Sequence, residues 1–466
     1  MKLRDGTPHD MERTQETCTN CEVLKARIER LESELARALA KIIELERRFG
    51  LNSSNSSKPP SSDGLRKQII SRREKSDKAF GGQVGHEGDT LRHVTNPDEI
   101  RDYQAQYCAG CNASLENAPI VDVEERQEFD IVMRRHVIAH RVHIKQCTNC
   151  KGKTGTGFPE HIKSYAQYGH KVRALCVYLT NQFISKERIE EFFRDCFGIT
   201  ISDTALIAYD KQCADALAPF MALVEQKVMD APIKHADETG VRIAKSIKWV
   251  HVLSTALWTH YRISGRGDMP IGISGVIVHD HWKSYLKITQ ALHAFCNAHH
   301  VRELRAAHEI DMELWADAMM KLLVNASKLI DPSSQEIAVI ERKYDDIIAD
   351  GIAYHSTLGP PHEGRRKKRP GHNLLLRLQK FKTETLRFLH NRDVPFTNNL
   401  AERDLRMIKL HQKVSGCFRT THGAECFATI RSFVSTLRKQ GVSILQALND
   451  LMSTGFSTDL LSALMP

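Results

Sequence analysis

The sequence predicts a multi-domain α+β chain, and three observations predict it. Apolar residues at heptad spacing run through the first 50 residues, two CxxC pairs bracket strand-like sequence, and β-rich runs after Pro232 give way to long helical patterns. At 466 residues the chain is too long for one ordinary domain, so several modules are expected.

The first module spans residues 20–50. Leu24, Ile28, Leu31, Leu35, Ala38, Ile42, Leu45 and Phe49 alternate at steps of four and three, with charged residues between them, which predicts a coiled-coil helix. The same seam would suit a helix packed on its own chain. Residues 51–95 follow as an arm: LNSSNSSKPPSSDG cannot build a core, and Lys58 to Lys78 holds seven basic and three acidic residues. Such an arm suits a DNA backbone, and a passive linker equally.

Residues 96–155 read as a zinc-binding ribbon. Cys108 and Cys111 form one CxxC and Cys147 and Cys150 another, and four thiolates of this kind can hold one Zn²⁺ tetrahedrally. Between them Phe129, Ile131 and Met133 alternate, as do Ile138, Val142 and Ile144, predicting a hairpin that joins the pairs. A third CxxC, Cys18 and Cys21, has no second pair in reach. Twelve cysteines arranged this way point to metal binding in a reducing compartment.

Residues 156–228 form a helical segment, with KVRALCVYLTNQFISKERIEEFFRDCFGITIS resembling helix, turn and helix, and read as a DNA-binding segment. Residues 229–450 open with the strand patterns IKHADETGVRI, KWVHVLSTALWTHYRI and GVIVHD, and carry a helical insertion at about 311–390, interrupted by RRKKRP.

Charge is concentrated rather than high. The net charge is +9, yet Arg365 to Lys439 carries 18 Lys and Arg against 5 Asp and Glu. That quarter of the chain is the expected polyanion-facing surface. The N-terminus lacks the apolar core of a signal peptide and no apolar run is long enough for a membrane span, so a cytoplasmic protein without a membrane partner is expected.

Three carboxylates stand where a hard-cation site could form: Asp237 within a strand, Asp280 directly after one, and Glu402 in the first turn of a basic helix. Spacing alone does not select them from 57 acids. Around Glu402, Asn398 and Asn399 read as a helix cap. Arg403, Arg406 and Lys409 read as grips on DNA phosphates, with a salt bridge to Asp404 as the alternative for the arginines. The run Arg365, Arg366, Lys367, Lys368 and Arg369 reads as a further DNA-backbone contact. His279 and His281 flank Asp280 and would face away from it on a strand, so both read as structural. Cys296 and His299 form a CxxH, and because two ligands do not complete a zinc site they read as positioning residues.

HADETGVRI, HDHWKSY, FCNAHHVREL and NNLAERDLR followed by GCFRTTHG together resemble the transposases of the insertion sequence 66 family. The N-terminal heptads, the SSNSSKPPSSDG arm and the four-cysteine ribbon match that family's order, so the resemblance extends from about residue 20 to 450. It implies a ribonuclease-H-like α/β catalytic domain with a helical insertion, and it places Asp237, Asp280 and Glu402 on an Asp-Asp-Glu triad. It further implies Mg²⁺ (or Mn²⁺) at the triad and Zn²⁺ at the ribbon. The implied partners are element terminal inverted repeats and target DNA, further copies of the chain through the N-terminal coiled coil, and accessory transposition proteins. Two departures stand out: Val241 where the family has an aromatic, and Asn297 in place of a Trp between Cys296 and His299. A metal-dependent nuclease or junction resolvase of the same fold, or an inactive zinc DNA-binding protein, would carry many of the same residues.

Overall fold

A computed structural model describes residues 19–52, 54–56, 91–268, 270, 272–358 and 368–464. Arg365, Arg366, Lys367, Cys18, the Cys21 side chain and most of the expected arm lie outside the described residues. The chain divides into two units: residues 68–163 with 190–201, and all the rest.

In the smaller unit each CxxC is a turn of the same design. Cys108 N–H donates to Ala113 O (2.9 Å) and Asn112 N–H to Cys108 O (2.8 Å); Cys147 N–H donates to Gly152 O (2.8 Å) and Lys151 N–H to Cys147 O (3.0 Å). Asn112 and Lys151 both take positive φ, 58° and 59°. The second turn joins the short antiparallel strands β1 (Lys145–Gln146) and β2 (Lys153–Thr154). The hairpin expected between the pairs is not formed: residues 115–144 contain no strand, and Ile131 and Val132 are 79% and 90% exposed. Alternating apolar residues become a strand only when a partner ladder covers one face, and none does so here.

The larger unit begins with α1 (Thr19–Gly50). Its heptad seam is exposed, Leu24, Leu31 and Leu35 being 57%, 55% and 60% accessible, while its end is tied down by Arg47, which donates to the Asp311 carboxylate (3.0 Å). The unit continues with α2 (His170–Asn181), α3 (Lys186–Phe197, which crosses into the smaller unit), α4 (Asp203–Ala216) and α5 (Ala218–Asp230).

A five-stranded mixed sheet follows: β3 (Ile233–Ile243), β4 (Ser246–Ser254), β5 (Thr259–Ser264), β6 (Gly275–His279) and β7 (Ala291–Phe295). Its order is β5-β4-β3-β6-β7; β3, β4 and β5 are an antiparallel meander, and β6 and β7 run parallel to β3. Central β3 is buried over much of its length because the sheet is covered on both faces. The start of β6 depends on Gly275: its φ is +70°, and a Cβ there would lie 2.6 Å from Pro232 O. That close approach sets the β3–β6 register.

Eight further helices are described: α6 (Asn297–Glu309), α7 (Leu314–Ala326), α8 (Ser334–Thr357), α9 (Pro370–Lys380), α10 (Lys382–His390), α11 (Asn399–Ser415), α12 (Thr421–Lys439) and α13 (Ile444–Thr454), before a last short one, α14 (Thr458–Ala463). One core joins α2, α4 and α5 to the sheet and to α12 and α13; Phe220 meets Phe433 edge to face at 5.1 Å, a geometry worth about 0.5–1.5 kcal/mol beyond burial. The helical segment before residue 229 therefore shares its core with the strands. A second core, with Trp315, Met319, Tyr344 and Leu375, holds α7 to α10 against α6. A third, with Val241, Val250, Tyr261, Ala401, Leu405 and Ile408, seats α11 on the β3–β4–β5 meander.

Candidate active site

The parallel register brings two acids level. His235 pairs with Val278 across β3 and β6, so two residues further on Asp237 stands beside Asp280 at the end of β6. On the far side His279 pairs with Phe295, which sets Asp280 beside Cys296 at the start of α6. Open parallel sheets bind ligands outside the carboxyl ends of their strands, and these residues occupy such an end.

Glu402 comes from α11, and two polar residues fix that helix. Asn398 stands at its N-cap position, yet its side chain does not cap. It crosses to β3 instead: Nδ2 donates to Ala236 O (2.8 Å), Oδ1 lies 2.9 Å from His235 Nδ1, and Asn398 N–H donates to Cys296 Sγ (3.1 Å). The capping expectation is thus corrected. Buried polar groups on β3 must find partners, and Asn398 satisfies them while pinning the helix start. Asp404 fixes the roll: its carboxylate accepts from Lys439 Nζ (2.8 Å), Ser254 Oγ (2.6 Å) and Thr259 Oγ1 (3.1 Å). With Asp404 so engaged, Arg403 and Arg406 remain on the exposed face.

The three carboxylates form one electrostatic group. Burial, then Asp280, pushes Asp237 up to about 8, with Glu402 and Glu238 adding to the shift and the Glu238 N–H opposing it. Asp280 is also raised, first by burial, although its Oδ1 accepts from Trp282 N–H (3.0 Å) and His299 opposes the shift. Glu238 is otherwise committed: its Oε2 faces His251 Nδ1 at 3.2 Å and accepts from Gly267 N–H (3.1 Å). Tyr285 is 1% exposed and its hydroxyl has no hydrogen-bond partner among the described residues; burial first, then Asp237, Asp280 and Glu238, raises its pKa. Half-buried carboxylates that raise one another's pKa fit a hard divalent cation.

Of the basic residues expected near DNA, Lys409 interacts with Asp237. Its Nζ reaches Gly240 O (3.4 Å); burial lowers its pKa, and Asp237 opposes that shift. Lys368 and Arg369 stand at the start of α9, where Arg369 acts on Glu313 and both act on His372. His279 and His281 are packing residues: burial pulls them down to about 3 and about 4, His279 stacks on Tyr285 at 4.6 Å, and His281 lies 4.3 Å from Phe295. Asn297 is buried and satisfied, donating to Thr385 O (2.9 Å) and facing His300 Nδ1 (3.0 Å), so the departure at this position ties α6 to α10.

Among the described residues, the His, Cys, Asp and Glu donors that meet within 4.8 Å of one another are Cys296, His299 and Glu402. Neither the three acids nor the four knuckle cysteines form so tight a group. Sequence reasoning missed Asn398 as a clamp, Asp404, Lys439, Tyr285 and the joining of Glu402 to the CxxH. A polar residue beside a helix start gives the same local signal whether it caps or reaches across the fold.

Comparison with known proteins bears on this site. The family described as transposase IS66 family matches residues 166–426, a span that contains Asp237, Asp280, Glu402, Cys296 and His299. Residues 8–92 match a separate family of unknown function (DUF6444), and the knuckle cysteines fall between the two matches. An uncharacterized protein, y4hP, of Sinorhizobium fredii (strain NBRC 101917 / NGR234) is 24% identical over 404 residues, covering 76% of this chain and 70% of that protein. Among the described residues no helix is long and apolar enough to cross a membrane.

Proposed function

The chain belongs to the IS66 transposase family, and from that premise we propose that it cleaves DNA at the ends of an insertion element and joins the freed ends to target DNA. One observation carries the reading: the β3–β6 register sets Asp237 beside Asp280, and the clamped start of α11 brings Glu402 into the same electrostatic group. The strand order, an antiparallel meander extended by two parallel strands, supports a ribonuclease-H-like catalytic domain.

Asp237, Asp280 and Glu402 would hold Mg²⁺ or Mn²⁺, which when bound supplies activation of the attacking oxygen and neutralisation of the leaving one. The protein's own part is positioning. Asn398 and Asp404 hold α11 so that Glu402 faces the strand ends, and Lys409, Arg403 and Arg406 on the same helix meet the phosphates of the strand being cut. Lys368 and Arg369, with Arg365, Arg366 and Lys367, extend that contact along the duplex. Cys108, Cys111, Cys147 and Cys150 would hold Zn²⁺, each pair offered by its own preformed turn, and the exposed seam of α1 supports assembly of two or more copies. Target DNA and the element's terminal repeats are the partners.

The test uses the purified chain, Mg²⁺ and cloned DNA from both sides of its gene. The reading predicts 3′-hydroxyl ends at the element termini and their covalent joining to a second DNA. Cleavage without joining would favour a nuclease of the same fold, and absence of any Mg²⁺-dependent cutting would contradict the reading.

A further inference from the structure

We propose that Cys296, His299 and Glu402 form a second, thiophilic metal site that shares Glu402 with the acidic centre, so that Zn²⁺ bound there blocks DNA cleavage. The geometry comes first. Cys296 Sγ lies 3.7 Å from Glu402 Oε1, and His299 Nδ1 lies 3.8 Å from the same oxygen. All three donor atoms lie within 4.8 Å of one another, a spread that small side-chain shifts bring to the bonding distances of one ion.

Of the donors the His299 imidazole is the less committed, the Cys296 thiol already making contacts to Glu402 and Asn398. His299 Nδ1 is buried without a hydrogen-bond partner among the described residues. The Cys296 thiol is 1% exposed and free, with the Asn398 N–H aimed at its sulfur. Burial pushes this thiol up to about 12 and the Asn398 N–H only opposes that shift, so an ion bound here must displace a firmly held proton. Asp280, level with Cys296 across the sheet and acting on His299, flanks the set.

The donor chemistry selects the ion. One sulfur, one imidazole and one carboxylate favour Zn²⁺, or Co²⁺ as its probe, over Mg²⁺, which prefers oxygen alone. On binding, the Cys296 S–H proton leaves to solvent and a metal–sulfur bond replaces it. Glu402 Oε1 is then drawn to the soft site and withdrawn from Asp237 and Asp280. Sequence gave only Cys296 and His299, two ligands 106 and 103 residues before the third; the α11 clamp supplies Glu402.

The binding arm stands independently of the proposed reaction, and the inhibition arm rests on it. Full-length protein is first loaded with one Zn²⁺ per chain to fill the knuckles and then titrated with Co²⁺. The expected result is a sulfur-to-cobalt charge-transfer band in the wild type that Cys296→Ser abolishes. His299→Gln should weaken Co²⁺ binding by more than the roughly 10–100-fold that loss of an outer partner costs. In cleavage assays with millimolar Mg²⁺, each protein being compared with its own zinc-free rate, micromolar Zn²⁺ should inhibit the wild type about tenfold or more and Cys296→Ser by about twofold or less. An identical cobalt band in wild type and Cys296→Ser would overturn the site, and the more exposed His299→Gln covers the case in which the serine variant does not fold. A cobalt band lost in Cys296→Ser, with no DNA cleavage in any protein, would leave the metal site standing and sink the catalytic reading instead.

Discussion

The cysteine turns of the smaller unit and the acidic centre of the larger one are built from opposite ends of the length scale. Each turn closes within six residues, by two backbone hydrogen bonds and one positive φ, and the two turns repeat that design closely. The backbone N–H groups of Cys111 and Gly110 lower the Cys108 thiol, and those of Cys150 and Asn149 lower Cys147, so each turn is already suited to a thiolate. The acidic centre has no such local logic. It joins residues from β3, the end of β6 and α11, and its geometry rests on Gly275, Asn398 and Asp404, none of which is one of the three acids. A local motif can form its ligand geometry alone but leaves the two halves unjoined; a distributed site is joined by the fold and is exposed to every change in it.

That contrast can be broken experimentally. The largest expected effect is on the distributed site: Asn398→Ala removes two buried side-chain hydrogen bonds and strands their partners, and should destabilise the larger unit by about 2–4 kcal/mol. Urea denaturation would measure it, and cleavage should fall even well below the midpoint because Glu402 is no longer aimed. An Asn398→Ala variant as stable as wild type would show that α11 is held in some other way.

Next in size is the response of the acidic centre to pH. Asp237 titrates at about 8 in the folded, cation-free protein against an ordinary value of 3.8. Between those values the folded state holds a proton that the unfolded state has lost, so this group's contribution to cation-free stability falls as pH rises from about 4 to about 8. A cation must displace that proton, so the melting-temperature gain from Mg²⁺ should grow between pH 6 and pH 9. Asp237→Asn should abolish the gain and stabilise the cation-free protein by about 1–2 kcal/mol, a trade of stability against activity. Fluorimetric melting curves with and without Mg²⁺ check both statements.

Chelation of Zn²⁺ should act on the other region. Removing it should increase amide exchange around residues 108–113 and 147–152 while leaving the β3–β7 sheet protected, as expected if the turns depend on an ion and the sheet does not. The smallest effect belongs to Arg403 and Arg406. Each change to Ala should weaken DNA binding several-fold and lower the salt slope by about 0.9, without sequence preference.

How much of this was legible in sequence follows the same division of scales. The helix over the heptads, the strands after Pro232 and the helices after Ala298 were readable because each has a local period. β7 was missed because five residues, ALHAF, carry too short a pattern. The strands expected at 129–144 were overcalled, since alternation reports a wish for a partner that the chain does not supply. At the site, the acids were chosen by resemblance, whereas Asn398 and Asp404 looked like a cap and an arginine partner. Their actual partners, His235 and Lys439, lie 163 residues before and 35 residues after them, beyond the reach of a local pattern.

The central claim is that Glu402, delivered by α11, completes a divalent-cation centre with Asp237 and Asp280. The most direct measurement is Mg²⁺-dependent release of 3′-hydroxyl ends from cloned element termini by wild type and Glu402→Gln, with DNA binding measured alongside. The account predicts a loss of cleavage on the order of 10³-fold, about 4 kcal/mol of transition-state stabilisation, with DNA affinity unchanged. Cleavage by Glu402→Gln at the wild-type rate would contradict it.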